Sequence, residues 1–122
     1  MEQAIPILPA DVLNVAREFY IEGLGFEILY EASADGKTGI LALKRGGIRL
    51  TLDAPMAGHG RGACVALEVH DADACYKEWQ LKIKIRKPPV NEEWGGRTFD
   101  VKDPFENTIF VIGPKTLDTV RS

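Results

Sequence analysis

The side chains able to do covalent or metal chemistry are few, and their spacing does not bring them together. His59 lies in a Gly-rich stretch and His70 stands directly before an aspartate that opens a helix. Neither has a second ligand at recognisable spacing, so both read as surface or capping residues. Cys64 and Cys75 are too far apart for a CxxC redox or zinc motif, and two thiols make no disulfide framework, so both read as reduced and buried. Trp94 is different. It sits in Asn91-Glu92-Glu93-Trp94-Gly95-Gly96, a turn-rich segment rather than an apolar periodic face. An indole there suits non-covalent chemistry: stacking on a flat ligand, close backbone approach at Gly95, and a preference for cations from Glu92 and Glu93. The competing reading makes Trp94 a packed lid over a sheet end.

The elements that must position Trp94 fall into two similar halves. Asp11 precedes Val12, Val15, Ala16 and Phe19, an apolar helical stripe behind an N-cap residue, which predicts a helix from about Asp11 to Gly23 with Gly25 at its exit. Asp71 precedes Ala72, Cys75, Tyr76 and Trp79 at the same offsets. Short β-rich segments, Ala4 to Leu8 and Cys64 to Val69, lie before the two helices. After the first helix come Phe26 to Ala32, Thr38 to Lys44 and Gly47 to Leu52; after the second come Ile83 to Arg86, Arg97 to Val101 and Thr108 to Ile112. The expectation is α+β: two tandem β-α-β-β-β modules whose curved mixed sheets enclose a cavity. The whole of residues 1–122 is one domain, with modules at about 3–53 and 63–114 and a Gly-rich linker at about 54–62. Arg49 and Arg97 fall on strands expected to line the cavity, where each could meet an anionic ligand group or an acidic neighbour.

Composition narrows the function classes. The chain has 122 residues, 45% hydrophobic, enough for one real core. Fifteen Lys and Arg against 18 Asp and Glu leave a formal charge of -3, which argues against nucleic acid as a partner. No apolar stretch approaches the ~20 residues a membrane span needs, and Met1, Glu2 and Gln3 do not begin a signal peptide. The expected setting is the cytoplasm, away from membranes.

Three segments resemble the glyoxalase, bleomycin resistance and dioxygenase superfamily, the vicinal oxygen chelate fold. Phe19-Tyr20 with Leu24-Gly25-Phe26 is similar to its helix-to-strand signature. Trp94-Gly95-Gly96-Arg97-Thr98-Phe99 is similar to the WG-R-F stretch of its bleomycin-binding branch, with one more residue between Gly95 and Arg97. Val101-Lys102-Asp103-Pro104 leading to Asn107 is similar to its closing D-P-x-G-N run, with Glu106 in place of the Gly. The resemblance implies that Tyr30, which follows Leu24-Gly25-Phe26, joins Trp94 in a two-sided aromatic clamp, and that Asp53 matches a drug-contacting place, although an Asp before Ala54-Pro55 also suits a turn. It implies a homodimer with each cavity shared between chains, the modules either pairing within one chain or swapping between chains around the linker.

The superfamily's enzymes hold a divalent metal with His, Gln or Glu on the first and last strands of each module. Those positions fall on Ala4, near Leu50, and on Cys64 and Phe110, of which only Cys64 carries a donor atom. No metal or other cofactor is therefore expected. The leading expectation is a non-catalytic binder of a flat, cationic antibiotic or metabolite, with Trp94, Tyr30, Gly95, Arg97, Arg49, Asp53 and Glu93 as its contacts. The alternatives are a lyase, isomerase or thiol transferase of the same superfamily with an atypical metal site or none, and an interaction or sensor domain with a vestigial cavity.

Overall fold

The computed structural model describes residues 2–55 and 62–116; Gly58, His59 and Gly60 of the expected linker lie outside them. The first module runs β1 (Ile7–Pro9), α1 (Leu13–Arg17), β2 (Glu27–Ala32), β3 (Gly39–Arg45) and β4 (Ile48–Ala54). The second runs β5 (Cys64–Glu68), α2 (Ala72–Trp79), β6 (Val90–Asn91), β7 (Gly96–Lys102) and β8 (Thr108–Pro114). Each builds a four-stranded mixed sheet, in the orders β1-β4-β3-β2 and β5-β8-β7-β6, with the first and last strands parallel. The architecture is the expected α+β pair. Among the described residues no helix is long and apolar enough to cross a membrane.

The repeat is present but one residue out of the register that Asp11 and Asp71 suggest. Asp71 caps α2 by accepting a bond from the Ala74 amide at 3.0 Å, whereas the N-cap of α1 is Val12, which makes no side-chain cap bond. Leu13, Ala16 and Tyr20 are the buried face of the first helix, as Ala72, Cys75 and Trp79 are of the second. Tyr20 is thus the counterpart of Trp79. After Arg17 the first helix widens into a π-helical turn, Glu18–Gly23, and Gly25 closes it at φ 79, where a side chain would meet Arg45 Nη1 at 2.8 Å.

Ile83 to Arg86, expected as a strand, is not one. Its isoleucines turn inward and pack against the core, but the Ile83 amide is taken by the Trp79 carbonyl at 3.0 Å, and pairing with β7 begins only at Val90, after Pro88-Pro89.

The core is one cluster that spans both modules, so each sheet has a helix-covered face and an open one. Polar contacts tie the modules at this core: Trp79 Nε1 donates to the Leu24 carbonyl at 2.9 Å, Arg45 makes two 2.9 Å bonds to Glu78 while its guanidinium lies 5.5 Å over the Trp79 ring, and Asn107 Nδ2 donates to the Pro9 carbonyl at 2.9 Å.

Candidate functional site

Strand register decides what each open face offers. On the first sheet Ile7, Thr51, Ala42 and Tyr30 stand side by side across four strands. Arg49 and Asp53 share that face by the two-residue period of β4. On the second sheet Ala66, Phe110 and Asp100 form one row, and Glu68, Ile112 and Thr98 the next.

Two clefts adjoin these faces. A cleft of about 1060 Å³ runs between the modules, from Arg45 and Arg49 on one wall to β5 and α2 on the other. A second of about 580 Å³ lies beyond it, walled by Trp94, Gly95 and Gly96 from the β6–β7 turn and by Ile112. Glu68 and His70 line both, so the two are neighbours. In the larger cleft, hydrogen bonding to Arg45 pulls the Glu78 carboxyl below its usual range, and the same bond raises the Arg45 guanidinium. Burial pushes the Cys75 thiol up to about 11, against a smaller opposing pull from Arg45.

The expected contacts separate in space. Trp94 is 63% exposed and walls the smaller cleft with Gly95, while Arg49 lines the larger one. Tyr30, 59% exposed, stands on the open face of the first sheet on β2, and it lines neither cleft. Glu93 is exposed outside both clefts, and half-buried Asp53 also lies outside them. Arg97 points the other way: it is 8% exposed and grips Asp73 of α2 through bonds of 2.9 and 3.1 Å. Of its two possible partners, an anionic ligand group or an acidic neighbour, the fold supplies the neighbour. Cys64, expected buried, is exposed, because it shares the open face of β5 with Ala66 and Glu68.

Glu68 and His70 are not among the contacts that the sequence suggests. Alternation along β5 could have found Glu68, since it falls in phase with Cys64 and Ala66 on the open face. His70 carries no such signal; it joins the site because β5 ends there.

The chelating positions also shift with the register. Leu50 is fully buried on the helix side, and the open-face counterparts of Cys64 and Phe110 in the first module are Ile5 and Thr51. One thiol and one hydroxyl among two hydrocarbon side chains do not fit a divalent metal cage. Among the described residues no three His, Cys, Asp or Glu side chains are grouped to hold an ion.

A family model described as the Glyoxalase/Bleomycin resistance protein/Dioxygenase superfamily matches residues 6–111. A crystal structure of a bleomycin-binding protein complexed with bleomycin is 25% identical with a TM-score of 0.76, covering 94% of this chain and 100% of that one. The bleomycin-binding protein of bleomycin-producing Streptomyces verticillus, complexed with copper(II)-bleomycin, is 24% identical with a TM-score of 0.74, covering 94% and 98%. A lactoylglutathione lyase from Agrobacterium tumefaciens is 19% identical with a TM-score of 0.71, covering 93% and 94%. No curated protein matches the chain.

Proposed function

The chain belongs to the glyoxalase/bleomycin resistance protein/dioxygenase superfamily, and we propose that it is a non-catalytic binder that sequesters a flat, cationic small molecule such as an antibiotic. The observation that carries this reading is Trp94: a large apolar ring left 63% exposed at the wall of a 580 Å³ cleft costs solvation free energy in the free protein and regains it when a planar ligand covers it. The bleomycin-bound relative of similar fold supports the same ligand class. The likeness to the lyase is one of fold alone, and the four open-face positions favour binding over metal-assisted chemistry.

A second copy of the chain is part of this reading. Ile7 at 56% exposure and Tyr30 at 59% leave an apolar strip on the open face of the first sheet. A partner whose second sheet faced that strip would set its Trp94 opposite Tyr30 and complete the two-sided clamp that one chain leaves open. The setting we propose is cytoplasmic, in keeping with two free thiols.

The test is a titration of tryptophan fluorescence with metal-free bleomycin and other flat cations, run beside sedimentation at micromolar concentration. Saturable quenching by at least one compound and twice the chain mass are expected. No quenching across the panel would point instead to an interaction domain, and a monomer would remove the shared clamp.

A further inference from the structure

We infer that Gly96 is a seat for the Trp94 indole, and that the shelf so formed, together with the Glu68 carboxylate, selects a planar cation. The inference rests on the binding reading above and names the residues that set its specificity. Gly96 occupies a strand position on the same face as Thr98, opposite to Arg97. A side chain there would stand 2.5 Å from Cζ3 and 2.6 Å from Cη2 of Trp94, so the six-membered ring of the indole already fills the place where that side chain would be. Ile112 Cγ2 borders the same spot at 3.3 Å. The indole thus lies down against β7 while staying 63% exposed to solvent.

The turn that folds it back is independently held. Gly95 has φ 111, a conformation an L side chain disfavours, and its amide bonds the Glu92 carbonyl at 3.1 Å. The Glu92 amide in turn bonds the Gly96 carbonyl at 2.7 Å, and Thr98 Oγ1 donates to the Glu92 carboxylate at 2.7 Å. The two glycines therefore do different work: Gly95 makes the turn and Gly96 clears the seat. Glu92 is engaged in holding the turn and Glu93 stands outside the cleft, which leaves Glu68 as the carboxylate in the cleft wall. His70 lines the same wall, and Arg49 lines the adjoining cleft that Glu68 also borders. A cationic ring stacked on the indole would place its N–H groups within reach of a carboxylate, whereas an anionic ring of the same shape would be repelled.

The probes are proflavine, a flat cation, and acridine-9-carboxylate, a flat anion on the same ring system, with metal-free bleomycin as the reference ligand. Wild-type protein should bind proflavine in preference to the carboxylate. Glu68→Gln should weaken proflavine by roughly five- to tenfold and erase that preference, with melting temperature unchanged. Gly96→Ala should lift the indole, red-shift the Trp94 emission and weaken proflavine about as much as Trp94→Ala does; the other tryptophan, Trp79, is fully buried and reports the core. Emission that does not move in Gly96→Ala overturns the seat whether or not a ligand binds. Bleomycin binding with no preference for proflavine, or a preference that survives Glu68→Gln, overturns the cation selectivity and leaves the binding reading standing. Failure of bleomycin and both acridines to bind wild-type protein overturns the selectivity and the binding reading together.

Discussion

Tyr20 of the first module donates its phenol hydrogen to Asp103 of the second across 2.6 Å, inside the core. The same carboxylate accepts from the amides of Phe105 at 2.9 Å and Asn107 at 2.8 Å and from Asn107 Nδ2 at 2.8 Å. Four donors compensate a buried charge that would otherwise be costly, and three of them lie in the loop that Asp103 itself opens. The phenol, held far above its usual pKa chiefly by burial and next by Asp103, is the donor that crosses between modules. This pair fixes how the two halves meet, and so the shape of the cleft between them.

Tyr20→Phe should therefore cost about 1.5 to 3 kcal/mol, the range for a hydrogen bond to a charged partner. Chemical denaturation should show a lower midpoint with an unchanged slope. Asp103→Ala should cost more, because it also strips the bonds from Phe105 and Asn107. A Tyr20→Phe midpoint equal to the parent's would mean that the remaining donors fully satisfy the carboxylate.

Much of this was legible in the sequence, and the failures at the candidate site are related. The strands after each helix and the tight connections between them are written in local β-propensity and turn residues, and β2, β3, β4, β7 and β8 lie where those signals put them. The register between modules was not, because a polar residue before an apolar stripe looks the same whether it caps, as Asp71 does, or merely precedes the cap, as Asp11 does. That single residue of slip moved the chelating positions from Ile5 and Thr51 to Ala4 and Leu50, and in β4 it exchanged the open face for the core. Arg97 was misplaced for a related reason: strand alternation says which residues share a face, but not which face the helix covers. The exposure of Trp94 was legible because an aromatic among turn residues has no periodic face to pack into.

Glu106 carries a strain that can be relieved. It adopts φ 70 in the loop between Asp103 and Asn107, a backbone conformation that favours Gly. The left-handed region costs a residue with a Cβ about 1 to 2 kcal/mol, so Glu106→Gly should raise stability by roughly 1 kcal/mol after the added freedom of the unfolded chain is counted. The readout is a higher melting temperature with unchanged ligand affinity. A lower melting temperature would show that contacts of the Glu106 side chain outweigh the strain.

The two thiols should differ sharply in reactivity. Cys64 is exposed on the open face, whereas burial lifts the Cys75 thiol from 9.0 to about 11, so at pH 8 it is protonated and shielded. Brief iodoacetamide treatment at pH 8 should leave one adduct, on the peptide containing Cys64. Linkage gives the sign of the pH effect: between 9.0 and about 11 the folded chain keeps a proton that the unfolded chain releases, so Cys75 makes stability fall as pH rises through that window. Cys75→Ala should flatten this part of the stability profile. Equal labelling of both cysteines in folded protein would contradict the burial of Cys75.

Trp94→Ala separates a ligand contact from a packing residue. The indole is 63% exposed with its six-membered ring against Gly96, so its removal exposes little that was buried and should change the melting temperature slightly. A stacked ligand would lose the aromatic contact, ~0.5 to 1.5 kcal/mol, together with the apolar area the ring covers, which makes an affinity loss of at least about tenfold. Trp94→Phe keeps a flat ring and should recover part of that affinity. Titration and thermal melting on both variants give the comparison. A large fall in melting temperature with full affinity in the folded fraction would make Trp94 a lid over the sheet end, and the cleft beside it would need another occupant.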